Sequence, residues 1–151
     1  MILGLKFDRR LTAAVGLEDE QVVFADSRFV PVRQAGVSTG MGRYLRHVLN
    51  QVRPSAIFYF APHDSGPFTT ELVRILEREA ADLGVPAKPL SRADVFGSFG
   101  VLPVRTRREL RTLLEAFWPA LTEAKPGRQL VLAEAAAVAL VGDLHQGWPP
   151  V

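Results

Sequence analysis

Apolar and polar positions alternate in three short runs over the first thirty-odd residues, and the period then lengthens to that of a helix. "ILGLKF" (2–7), "LTAAVGLE" (11–18) and "QVVFADSRFVPV" (21–32) are rich in β-branched and aromatic residues. Asp8-Arg9-Arg10 separates the first pair and Glu18–Glu20 the second, while Pro31 stands near the end of the third. Short polar turns between neighbouring strands predict an antiparallel meander. Tyr44, Leu45, Val48, Leu49 and Val52 then recur at helical spacing, which predicts a helix over "GMGRYLRHVLNQV" (40–52), capped by Ser38 or Thr39 and ended by Pro54.

The pattern alternates twice more. "SAIFYFA" (55–61) is almost wholly apolar, as expected of a central strand covered on both faces. "PHDSGP" (62–67) leads to a helix over "FTTELVRILEREAADLG" (68–84), with Leu72, Val73, Leu76 and Ala80 on one stripe and Gly84 at its end. "VPAKPL" (85–90) predicts a short strand weakened by prolines, and Ser91 caps a brief helix over "RADVF". After the loop "GSFG" (97–100), Thr106 caps a helix over "RRELRTLLEAFWPAL" (107–121) with Leu110, Leu113, Leu114 and Phe117 as its stripe. "QLVLAEAAAVALVGDL" (129–144) is a last helix, apolar almost all round and therefore buried.

Strand-strand-strand-helix-strand-helix-strand-helix-helix-helix is an α/β order. Three antiparallel strands followed by parallel crossovers predict a five-stranded mixed sheet with helices on both faces, the ribonuclease-H-like arrangement. At 151 residues the chain fits a single domain. No apolar run approaches the length of a membrane span. The absence of cysteine rules out disulfides and thiolate metal sites, and a cytoplasmic protein is expected. Net charge is only +2, but fifteen of the eighteen basic residues are arginine and several cluster in Arg105–Arg111. Arginine suits bidentate phosphate contacts, although a preference for arginine codons produces the same composition.

In order and spacing, the blocks resemble the RuvC-type Holliday junction resolvases. "ILGLKFDRRLTAAVGL" is similar to their opening strand-turn-strand, and "RHVLNQVRPSAIFYFA" to their first helix, proline and central strand. "EREAADLGVPAKPLSRADVFGSFG", "RTRRELRTLL" and "LAEAAAVALVGDL" resemble the later helix-strand block, the basic helix and the last helix. The resemblance implies four carboxylates holding two divalent metals, Mg²⁺ or Mn²⁺, which activate water and stabilise the leaving oxygen in phosphodiester cleavage. Position by position, the carboxylates are missing. The first-strand aspartate falls on Lys6 and the central-strand glutamate on about Phe60. The paired acids of the last helix fall on Ala133 and Ala136, or, with a one-residue shift, on Glu134 and Ala137.

Three acids remain as substitutes in an alternative reading as a divergent metal-dependent junction endonuclease: Asp8, Asp64 and Glu134. Asp8 shares the face of Lys6 if the strand persists, but equally suits a polar turn. Asp64 and His63 follow the central strand, as loop ligands or as a solvated pair. Glu134 is a lone carboxylate in an apolar helix, and so is paired, protonated or at an edge; the ammonium of Lys6, across the former metal site, would supply a partner. The expected function is that of a degenerate, non-catalytic DNA-binding protein with no cofactor. Its phosphate contacts would come from Arg9, Arg10, Arg105, Arg107, Arg108 and Arg111. The resemblance, with the apolar helices, Phe117, Trp118 and the Trp148 tail, also implies a homodimer; a dimeric protein-interaction module that binds no nucleic acid is the remaining reading.

Overall fold

The computed structural model describes residues 1–8, 11–29, 35–62, 67–100 and 104–146. Five strands make one sheet: β1 (Ile2–Phe7), β2 (Leu11–Glu18), β3 (Gln21–Phe29), β4 (Ala56–Phe60) and β5 (Ala87–Leu90). Their order is β3-β2-β1-β4-β5. β1 pairs antiparallel with β2 and β2 with β3, whereas β4 pairs parallel with both β1 and β5. The mixed five-stranded sheet expected from the element order is the one observed.

Alternation along the strands divides the core in two. Leu3, Leu5, Ala14, Ile57 and Tyr59 face α1 (Ala35–Val52) and α2 (Pro67–Asp82). Ile2, Ala13, Val15, Phe58 and Phe60 face the other layer, built by α3 (Arg92–Gly97), α4 (Arg107–Phe117) and α5 (Gln129–Gln146). All five residues of β4 are buried, which explains its unbroken apolar run. β5 lies at one edge of the sheet, with Lys88 and Pro89 exposed along it.

α5 crosses the sheet at close range because small residues meet there. A methyl group added at Gly4 would stand 2.1 Å from the carbonyl oxygen of Ala135 and 2.7 Å from Cβ of Ala139. One added at Gly142 would strike the ring of Phe58 at 2.2 Å. Since Gly4 and Phe58 are cross-strand partners, α5 is seated over the junction of β1 and β4.

Two boundaries differ by more than a residue or two from the sequence reading. α1 begins at Ala35, so Ser38 and Thr39 are helical positions and not its N-cap residue. Glycines at 36, 40 and 42 lower helix propensity and hide this early start. α4 stops at Phe117, and Pro119–Glu123 form a separate 3-10 turn. Trp118 precedes a proline, which disfavours the helical region, and its backbone leaves the helix with φ −130° and ψ 87°. β3 ends at Phe29, and the "VPV" that was expected to continue it lies outside the described residues. Trp118 is core and donates Nε1–H to the Glu20 carbonyl at 2.9 Å, while neighbouring Phe117 is 63% exposed. Trp148 and the tail lie outside the described residues.

Gly40 is exposed inside α1, with no atom within 4 Å of an added Cβ. Gly40→Ala should therefore raise stability by about 0.5–1 kcal/mol through helix propensity alone. The urea midpoint reads this directly; a fall would mean that residue 40 is not helical.

Candidate functional site

The site is built where β1 and β4 end, the side of an open α/β sheet on which ligands bind. Lys6 follows Ile2 and Gly4 on the α5 face of β1 and is only 9% exposed. Its ammonium lies 4.8 Å from the ring centroid of Phe60, the last residue of β4, in a cation–π contact. From α5, Glu134 reaches down with 2% exposure and places Oε2 3.6 Å from Lys6 Nζ. The contact between Lys6 and Glu134 across this position is thus present.

Lys6 is nevertheless not the chief partner of Glu134. Arg107, the first residue of α4, donates from Nε to Glu134 Oε1 at 2.9 Å and from Nη2 to the same oxygen. Nη2 also lies 3.3 Å from Oδ2 of Asp8. Asp8 stands just past β1 in the turn to β2, exchanging backbone hydrogen bonds with Leu11 at 2.9 and 3.3 Å. Two cations and two carboxylates follow one another in a chain: Lys6, Glu134, Arg107, Asp8. Burial pulls the Arg107 guanidinium pKa down, but the bonds to Glu134 and the charge of Asp8 outweigh this and hold it raised.

Arg107 sits unfavourably with respect to its own helix. A cation in the first turn opposes the positive end of the helix dipole, and Thr106 already caps α4 by accepting from Glu109 N–H at 3.2 Å. Glu134 and Asp8 offset that penalty. This also shows what the sequence reading missed. Arg107 was read as a phosphate contact, yet its guanidinium is committed to residues 27 and 99 positions away. A basic residue in the first turn of a helix, against the dipole, is a signal that Arg108 shares, so it does not single out Arg107.

The remaining candidates separate. Phe60 closes one side of the site with an apolar ring, and Ala133 and Ala136 are fully buried methyl groups of α5 that bring no oxygen. Arg105 and Arg108 are exposed on either side of Arg107. Arg111 is partly exposed, with Nε 3.6 Å from Glu115 Oε1. Arg9, Arg10, His63 and Asp64 lie outside the described residues. Among the described residues no three carboxylates or histidines converge on a point. Mg²⁺ and Mn²⁺ require several oxygen ligands around one centre. Here an ammonium and a guanidinium occupy the two oxygens of Glu134, so the described residues do not fit such an ion.

No protein-family model matches the chain, and no curated protein matches it in sequence. Its fold is matched closely. The RuvC structure of Thermus thermophilus superposes with a TM-score of 0.76 over 96% of this chain and 94% of that one, at 15% identity. The chain has the RuvC-type resolvase fold. T. thermophilus RuvC in complex with Holliday junction substrate gives 0.75 over 97% and 95%, again at 15% identity. The yeast mitochondrial Holliday junction resolvase Ydc2 gives 0.61 over 93% of this chain and 77% of that one, at 12% identity. On the RuvC-type fold, β1, β4 and α5 are the elements from which the resemblance drew its four acidic positions. In this chain those elements bring together Lys6, Phe60 and Glu134.

Proposed function

We propose that this protein binds branched DNA and does not cleave it. The observation that carries the reading is the chain Lys6–Glu134–Arg107–Asp8 at the end of β1 and β4. Phosphodiester hydrolysis by this fold class calls for oxygen-bound divalent ions that generate hydroxide and take up charge on the leaving oxygen. Lys6 and Arg107 instead supply fixed positive charge, which neutralises the remaining acids and activates no water. Arg105 and Arg108, exposed beside them at the start of α4, would contact phosphates, with Arg9 and Arg10 as further contacts. Two of the structural neighbours are complexes with Holliday junction DNA, from T. thermophilus and from fowlpox virus, which favours a branched partner.

Junction and duplex DNA titrated over a range of salt, with Mg²⁺ or Mn²⁺ present and absent, test this. The expected result is binding without product, with an affinity that falls by a slope of about −0.9 per phosphate contact. Arg105→Ala with Arg108→Ala should flatten the slope by about two units. Fold stability should hardly change, because both side chains are exposed. Metal-dependent cleavage abolished by Asp8→Asn would instead identify a divergent endonuclease. Absence of binding even at low salt would leave the protein-interaction module.

A further inference from the structure

β3, the other edge of the sheet, ends in an aromatic residue that the site does not use. Phe29 is 60% exposed. Arg128, just before α5, places its guanidinium carbon 4.9 Å from the Phe29 ring centroid. The guanidinium is itself fixed, since Nη1 donates to the Ser27 carbonyl at 2.9 Å and to Ser27 Oγ at 3.1 Å. Phe29 is therefore braced by an oriented planar cation while most of it remains in water. Were Arg128 there only to shield the ring, the pair would be covered, since burying a phenylalanine gains about 1.5–3 kcal/mol.

A cleft of about 600 Å³ runs alongside, between β3 and the segment joining α4 to α5. Leu132 lines it with apolar surface, and Ser27, Glu123, Lys125 and Arg128 supply donors and acceptors, whereas Asp26 lies on the opposite face of β3 with its partner Ala14. One acid and two bases on this face leave the cleft positive, so it favours a ligand that joins a polar ring to a negative charge. Its place in the fold links it to the charged site. Leu11 is the cross-strand partner of Phe29 and is hydrogen-bonded to Asp8, whose carboxylate meets Arg107. β3 lies two strand spacings from β1, about 10 Å.

From this geometry, and resting on the DNA-binding reading above, we infer that Phe29 and Arg128 form a receptor for one unstacked nucleobase. The base stacks on the exposed ring, its polar edge turns into the cleft toward Ser27, and its phosphate is directed toward Lys125 or the arginines of α4. Base–aromatic stacking tolerates any base, because every base has a π-face. The site thus distinguishes unpaired from paired nucleotides without reading sequence, which suits the branch point of a junction.

The test compares wild type, Phe29→Ala and Phe29→Tyr on a junction, a duplex with one bulged nucleotide, and the same duplex without the bulge. The expected result is a loss of about ten- to a hundredfold for Phe29→Ala on the junction and the bulged duplex, the range for one lost stack. Phe29→Tyr should restore binding, and the unbulged duplex should be indifferent to all three. With 5-iodouracil at the bulge, irradiation should crosslink residue 29 in wild type. Equal binding of all three proteins to bulged DNA, or a crosslink elsewhere, overturns the base site while leaving junction binding intact. If wild type binds none of the three DNAs, both readings fall together.

Discussion

Glu134→Ala should destabilise the protein by about 3 kcal/mol, at the lower end of the cost of removing one partner from a buried ion pair. The reason is what remains behind. Lys6 would keep its ammonium in a nearly closed site, with the Phe60 ring as its neighbour. Arg107 suffers less, because its side chain is 38% exposed and retains Asp8. For a domain of this size the change amounts to a fall of roughly 10 °C in melting temperature. Lys6→Met combined with Glu134→Leu should recover most of the loss, since apolar replacement of a buried pair is often neutral or stabilising. A cost below about 1 kcal/mol for Glu134→Ala would show that water reaches these charges and that the site is open.

Gly4→Ala should cost as much by a different route. The added methyl would meet the carbonyl oxygen of Ala135 at 2.1 Å and the backbone nitrogen of Ala139 at 2.9 Å. Neither is the end of a flexible side chain, so relief requires α5 to lift from β1. That motion would loosen the apolar contacts of Ala135, Ala139 and Val138 and draw Glu134 away from Lys6. Overpacking of this kind costs about 3 kcal/mol. A lowered denaturation midpoint is the readout, with Gly40→Ala, where an added Cβ meets nothing, as the contrasting control. An unchanged midpoint would mean that α5 does not sit where the structure places it.

The scaffold was legible in the sequence because each of its rules is local. Turns at Asp8 and at Asp19-Glu20 mark the meander; the latter two residues carry φ of 50° and 62°, as a two-residue hairpin requires. The apolar run of β4 and the alanine-rich α5 announce burial by composition alone. Lys6 and Glu134 were legible as well, each being a charge set in an apolar element. Arg107 was not, because nothing near it in the chain distinguishes it from Arg108. Only the packing of α4 on α5 turns one inward to Glu134 and leaves the other in solvent. Phe29 and Arg128 escaped for the same reason, as partners 99 residues apart in neighbouring layers. The end of α4 is a different case: Pro119 signalled it, but the apolar stripe carried the reading past the signal.

The sheet ends at two strands, β3 and β5, and each end is blunted in its own way. β5 presents Pro89, which has no N–H to offer an incoming strand, beside the exposed charge of Lys88. On β3, the guanidinium of Arg128 lies across the Ser27 carbonyl, one of the groups that an added strand would need. Proline and charge at sheet edges oppose strand-to-strand growth between chains. The side chain that braces Phe29 therefore also guards this border against aggregation. Losing Arg128 would free the Ser27 carbonyl for strand pairing between chains, a liability separate from any change in what the protein binds.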